Sequence, residues 1–120
     1  MNYTLTGQPK STQTIYKYAC RGKHPCMYMD KVGKDLKEQY KWEIIAQKAK
    51  LLTGELEVGL KLYFKDKRKR DVDNFNKLIL DAGTDILWED DSQIQKLTIE
   101  KYIDKINPRI ELCIINLKRE

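Results

Sequence analysis

The chain has 120 residues, a length that fits one compact domain spanning residues 1–120. Hydrophobic residues make up 41% of it and charged residues 34%, which predicts a real core under an ionic surface. There is no run of about 18 apolar residues and no apolar N-terminal stretch typical of a signal peptide. We therefore expect a cytoplasmic protein without a transmembrane helix. The three cysteines are an odd number, which argues against a disulfide framework.

The N-terminal quarter predicts one strand followed by a basic loop. Residues 2–6 alternate apolar and polar side chains, as an opening strand does. Residues 7–29 are irregular, which predicts a long loop with short strand pieces near 15–18 and 27–29. Aromatic and basic side chains alternate there. Such a loop can stack on bases and contact phosphates, although packing against the sheet explains the pattern equally well. The basic residues concerned are Lys17, Arg21 and Lys23.

The remaining chain alternates helices and strands. In order, the pattern predicts a helix from an Asp30 N-cap to about Leu52, a strand at 55–64, a helix from about 71–73 to Ile86, and strands at about 94–103 and 110–117. The apolar stripe of the first helix consists of Val32, Leu36, Tyr40, Ile44 and Leu51, with Lys34, Lys37 and Lys41 on the opposite side. The order β-α-β-α-β-β describes an α/β domain with a mixed sheet and two main helices.

A basic run follows the strand predicted at 55–64. It surrounds a single acid, Asp66, and consists of Lys65, Lys67, Arg68, Lys69 and Arg70. A solvated turn explains an isolated charge run well. The functional interpretation is a patch that contacts the phosphates of DNA.

Acidic residues flank the second predicted helix. Asp71 and Asp73 stand at its start, where helix capping would account for an aspartate. Asp73, Lys77 and Asp81 follow at four-residue spacing on one side, which surface ion pairs would also explain. The pair Asp90 and Asp91 precedes the next strand.

If Asp71, Asp73 and one of Asp90 or Asp91 converge, a divalent cation would relieve their mutual repulsion. Carboxylate oxygens suit Mg²⁺, with Mn²⁺ as a substitute. An ion held this way can polarise a phosphodiester and activate water, and the basic run beside it would bind the substrate.

The string R-K-R-D-V-D-N-x-x-K at residues 68–77, then D-A at 81–82 and W-x-D-D-x-Q-I at 88–94, resembles the signature of the RusA family of Holliday-junction resolvases. The resemblance implies that Asp71, Asp73 and Asp91 are catalytic carboxylates that bind Mg²⁺, with Asp90 ranked below Asp91. It implies that Lys77 faces the same site, where it would stabilise charge on the phosphate or orient water. Asn74 and Asp81 also match, without an assigned step.

The family acts as a homodimer on four-way DNA junctions, so the resemblance implies a crossover-junction endodeoxyribonuclease of DNA recombination and repair, without a small-molecule cofactor or a membrane partner. A protein that is encoded by a phage or prophage and acts in a bacterial cytoplasm would fit this family. Two alternatives explain the residues differently. One is a non-catalytic DNA-binding module that uses the same basic surface, and the other is a small protein whose charges bind a protein partner.

Overall fold

The computed structural model describes residues 1–11, 16–21, 24–71 and 75–117, and only the backbone for 16–21 and 24–28. Within these ranges the elements are β1 (Asn2–Thr6), β2 (Tyr16–Arg21), β3 (His24–Met29), α1 (Lys31–Ala46), β4 (Leu56–Phe64), α2 (Asn76–Gly83), β5 (Ile94–Ile103) and β6 (Arg109–Asn116). A short 3-10 helix, Asp91–Gln93, leads into β5. No helix in these ranges is long and apolar enough to cross a membrane.

Four strands form a mixed sheet in the order β1-β6-β4-β5. β6 is antiparallel to both β1 and β4, whereas β5 is parallel to β4 and is reached through the crossover helix α2. The α/β class and the order β-α-β-α-β-β are therefore confirmed for this sheet and the two helices. The hairpin β2–β3 is inserted between β1 and α1 as a separate two-stranded sheet.

The core lies between one face of the sheet and the two helices. Every second residue of β4 is buried, as its strict alternation predicts, and these side chains pack with those of β1, β6, α1 and α2. The buried β4 residues are Leu56, Val58, Leu60, Leu62 and Phe64. Glu57 and Lys61 stand on the other face, which an open pocket borders.

The prediction of a long loop over residues 7–29 was wrong for residues 16–21 and 24–29, which form a hairpin. The short strand pieces predicted near 15–18 and 27–29 do lie in β2 and β3, but both strands are longer than predicted. Tyr16 pairs with Met29 and Arg21 with His24, without an interruption in the register. In this two-stranded sheet the facing backbone groups pair with one another and water can bind the outward-facing ones, so the hairpin does not require the alternating apolar pattern that reveals a strand in a half-buried sheet. Lys17 and Arg21 lie on β2, and Lys23 lies outside the described residues.

Both helices are shorter than predicted. Asp30 is the N-cap of α1, as expected, and accepts a hydrogen bond from the Gly33 amide (2.8 Å), but the helix ends at Ala46. Lys48 then adopts a left-handed backbone conformation (φ 61°), which stops the helix before the stripe reaches Leu51. Leu51 is consequently about half exposed. Val32, in the first turn of α1, is also about half exposed, whereas the other three residues of the predicted stripe pack on the core.

The second helix begins at Asn76 rather than at 71–73, so Asp71 does not cap it. Its N-cap position is Phe75, which provides no side-chain hydrogen bond. It ends at Gly83 rather than at Ile86, because Asp85 has a positive φ (72°) and its amide donates to the Trp88 carbonyl in a tight turn.

Candidate active site

An open polar pocket lies where α2 ends and β5 begins. Five carboxylate side chains line it, from Asp81, Asp85, Glu89, Asp90 and Asp91. Thr84 and two lysines of α1, Lys37 and Lys41, complete the lining, and the volume is about 450 Å³. We call this the acidic pocket. It gathers Asp81, Asp90 and Asp91, three of the acids that the sequence analysis singled out.

Neutral donors hold one oxygen of Asp91. The Trp88 indole Nε1 and the Thr84 hydroxyl both lie 2.9 Å from Asp91 Oδ1. The Thr84 Oγ1 also lies 3.0 Å from the Leu80 carbonyl, so its single proton is shared between two acceptors. Both donors bind Oδ1, so they orient the Asp91 carboxylate, and neither of them binds Oδ2.

Tight packing at the end of α2 positions Trp88. The ring is fully buried, and it lies so close to Gly83 that a Cβ atom there would stand 2.9 Å from two ring carbons. Only glycine allows this approach without a shift of the tryptophan. The absence of a side chain at Gly83 thus allows the Trp88 indole to occupy the position from which it donates to Asp91.

Asp90 has a different local role from Asp91. Its side chain accepts a hydrogen bond from the Ser92 amide (3.0 Å) and caps the short 3-10 helix. Gln93 closes the turn, since its Oε1 accepts from the amides of Glu89 (2.8 Å) and Asp90 (3.1 Å). The Asp90 carboxylate therefore stabilises the loop that carries Asp91.

The basic run lies at the other end of the β4–α2–β5 unit. Arg70 anchors its end, because the guanidinium bonds Asp66 Oδ1 (2.8 Å) and stacks over the Phe64 ring (4.3 Å to the centroid). The ammonium group of Lys101, near the end of β5, donates to the Arg70 carbonyl. These contacts place Arg70, and Asp71 directly after it, at the carboxyl end of β4.

One chain does not bring Asp71 to the acidic pocket. Leu56 lies opposite Ile94 and Phe64 opposite Ile103, so the start of β5 is level with the start of β4. Nine residues of strand span roughly 26–30 Å, and Asp71 and Asp91 lie towards opposite ends of that length. No group of three His, Cys, Asp or Glu among the described residues is placed to hold a metal ion.

The other predicted site residues fall into three groups. Asp73 and Asn74 lie outside the described residues. Lys77 is exposed in the first turn of α2, one turn from Asp81. Within the basic run, Lys65, Lys67, Lys69 and Arg68 are exposed, whereas Arg70 is turned inward with only 16% of its side chain accessible.

The Arg70 contact has an electrostatic consequence for its partner. The hydrogen bond from the Arg70 guanidinium, aided by the Arg68 amide, holds the pKa of Asp66 below its usual value. Asp66 therefore stays ionised and offsets part of the positive charge of the run.

Sequence reasoning missed Lys37, Lys41 and Thr84 as part of this region. The lysines are spaced four residues apart on the polar side of α1, and that pattern is equally typical of a solvated helix surface. Thr84 carried no signal, because its role depends on the early end of α2.

Comparison with known proteins adds one match. The family model described as Endodeoxyribonuclease RusA matches residues 6–115, from the last residue of β1 to the second-last residue of β6. No curated protein matches the chain.

Proposed function

Because the chain belongs to the RusA family of endodeoxyribonucleases, we propose that it is a Mg²⁺-dependent enzyme that resolves Holliday junctions in DNA recombination and repair. The family match over residues 6–115 carries this proposal, and it accounts for the paired basic and acidic regions together. The substrate would be a four-way DNA junction, cut by paired hydrolysis of phosphodiester bonds. We propose that the enzyme is encoded by a phage or prophage gene and acts in a bacterial cytoplasm.

We propose that Asp71, Asp73 and Asp91 hold the metal ion, with Asp90 beside them. Their hard oxygen donors fit Mg²⁺, and Mn²⁺ can replace it. The bound ion would polarise the phosphodiester and lower the pKa of a water molecule. Thr84 and Trp88 support this assignment, because they orient the Asp91 carboxylate at the wall of the acidic pocket. Lys77 would stabilise charge on the attacked phosphate.

A homodimer would complete the site. Asp71 follows an anchored Arg70 at one end of the β4–α2–β5 unit, and Asp91 lies at the other end. Two copies related by a two-fold axis can place Asp71 of one chain beside Asp91 of its partner, and the symmetry creates two equal sites. Two sites suit a junction with two equivalent strands to cut.

The DNA would be bound by the exposed cations of the basic run and by the hairpin. Lys65, Lys67, Arg68 and Lys69 present their charges to solvent next to Asp71. Lys17, Arg21 and Lys23 would extend this surface from β2 and the segment that follows it. Arg70 would contribute mainly by fixing the backbone before Asp71, since its guanidinium already binds Asp66.

The test is an Asp71→Asn variant, compared with the wild type on a labelled four-way junction and on linear duplex, with and without Mg²⁺. The variant should bind the junction but cut it at least about 10³-fold more slowly, because a neutral amide replaces a metal-binding carboxylate. Asp35→Asn, an exposed acid on α1, is the matched control and should cut normally. Full cutting by Asp71→Asn would remove the proposed mechanism. Binding without any Mg²⁺-dependent nicking by the wild type would favour a non-catalytic DNA-binding module instead.

A further inference from the structure

Three lysines of α1 form a row that runs into the acidic pocket. Lys37 and Lys41 line that pocket, and together with Lys34, Glu38 and Met29 they also line a smaller pocket beside it. The two pockets therefore adjoin one another along α1, with Lys37 and Lys41 lining both. We call Lys34, Lys37 and Lys41 the α1 lysine row.

The spacing of the row places it along one side of the helix. Residues three and four apart are neighbours on a helix surface, so Lys34, Lys37 and Lys41 follow one another along the axis. Seven residues correspond to roughly 10 Å of helix rise. Successive phosphates of a DNA strand rise about 3.4 Å along the duplex axis and lie farther apart than this along the strand itself, so the row is long enough for about two successive phosphates.

The lysines and carboxylates of the acidic pocket remain apart although their charges attract. Among the described residues, no ion pair within 4.0 Å joins Lys34, Lys37 or Lys41 to an acid. The carboxylates occupy the wall formed by the end of α2 and the loop before β5, and the lysines the wall formed by α1. About 450 Å³ of open space is thus bordered by anionic and cationic sides.

We propose that the α1 lysine row binds the phosphates of the DNA strand next to the bond that is cut. This inference rests on the proposed function, because it assigns the anionic wall to the metal ion and the cationic wall to the substrate strand. A phosphodiester beside the metal lies between the two walls, where ammonium groups face its oxygens. The row thereby extends the DNA surface from the basic run and the hairpin to α1.

An electrostatic alternative makes a different prediction. If Lys37 and Lys41 serve only to offset five nearby carboxylates, their removal should lower thermal stability at low salt and leave DNA affinity unchanged. If they contact phosphates, their removal should weaken DNA binding and reduce its dependence on salt, because fewer counterions are released.

The experiment measures the affinity of the full chain for a labelled four-way junction in Ca²⁺, over roughly 50–200 mM NaCl. We expect Lys37→Gln with Lys41→Gln to weaken binding at least about tenfold near 100 mM salt, and to reduce the slope of log affinity against log salt by about 2. Lys48→Gln with Lys50→Gln is the matched control. It removes the same charge from exposed positions after α1 and should leave both values near those of the wild type.

Three results would overturn the inference: an unchanged salt slope in the Lys37 and Lys41 variant, an equal loss in the Lys48 and Lys50 control, or no binding of the junction by the wild type. The proposed function is judged separately, by cutting of the junction in Mg²⁺. A wild type that binds but never cuts would refute the proposed nuclease activity, while the comparison of salt slopes still decides the role of the α1 lysine row.

Discussion

The two ends of the β4–α2–β5 unit are built in different ways. At the carboxyl end of β4, four exposed cations surround one inward guanidinium, and few contacts fix where their charges lie. At the amino end of β5, a buried indole and a hydroxyl aim at a single oxygen of Asp91, and a capping turn holds the loop. Phosphates can be attracted by charge alone, whereas a metal ligand needs a defined direction. One end thus exposes cations whose positions few contacts fix, whereas the other end holds a carboxylate in a defined direction.

Mixing two inactive variants gives the largest expected effect. Asp71→Asn and Asp91→Asn should each abolish cutting as homodimers. If each site combines Asp71 of one chain with Asp91 of its partner, a mixed dimer contains one intact site. Random association should then restore roughly a quarter of the wild-type sites, seen as nicking of one strand of the junction. Co-refolded variants and a labelled junction provide the measurement.

The control for mixing is the pair Asp71→Asn and Asp73→Asn. These variants should not rescue one another, because the two acids are two residues apart in the sequence and we propose that one chain contributes both to the same site. Rescue by that pair, or no rescue by Asp71→Asn with Asp91→Asn, would contradict a site shared between chains.

Removing one donor to Asp91 should have an intermediate effect. Thr84→Val keeps the shape of the side chain but deletes the hydroxyl that lies 2.9 Å from Asp91 Oδ1. Loss of such a supporting contact typically costs roughly 10- to 100-fold in metal affinity or activity. We expect about tenfold weaker Mn²⁺ binding by calorimetry and a matching rise in the Mg²⁺ concentration for half-maximal cutting. Thr84→Ser retains the hydroxyl and should restore both values, and equal defects in Val and Ser variants would argue against the orienting role.

The smallest expected effect concerns the anchor at the basic end. Arg70→Gln removes the bond to Asp66 and the stacking on Phe64, and should lower the melting temperature by roughly 2–6 °C at neutral pH. Because Arg70 lowers the pKa of Asp66 in the folded state, the ion-pair part of this stability is present above about pH 4 and is lost as the pH falls through the lowered pKa. The difference between variant and wild type should therefore shrink in acid, which melting curves at several pH values would show.

Arg68→Gln is the comparison for Arg70→Gln. Arg68 is 81% exposed and its Nε lies 3.6 Å from Asp66, so its loss should shift the melting temperature by no more than about 1 °C. If Arg68→Gln lowers the melting temperature as much as Arg70→Gln, the Arg70 contacts are not the specific anchor of the run, and its cations stabilise the fold together.

The bounds of helices and strands were predicted most reliably where a single short-range sequence pattern determined them. The alternation in residues 55–64 gave β4 nearly to the residue, and Asp30 marked the start of α1. Helix ends were predicted poorly, since they depend on a buried Trp88 against Gly83 and on left-handed residues such as Asp85 that no periodicity reveals.

The positions of the acidic residues show that local sequence patterns also do not determine which side chains meet in the site. The sequence analysis singled out Asp90 and Asp91 as candidate metal ligands, and the structure places both in one pocket with Asp81. Their separation from Asp71 follows from the parallel pairing of β4 and β5, which is a property of the sheet and not of the local motif. Lys37 and Lys41 reach the same pocket only because α1 packs beside α2.

The side-chain amide of Gln93 connects the acidic loop to the segment before β4. Its amide nitrogen donates to the Leu52 and Gly54 carbonyls at 3.0 Å each, while its oxygen accepts from two amides of the acidic loop. All four bonding directions of the side chain are thus in use. Deamidation to glutamate would remove both donors and add a negative charge beside Asp90 and Asp91. Ageing of this single amide would therefore remove the two hydrogen bonds that tie the acidic loop to the segment before β4, and would weaken the support of the loop that carries Asp91.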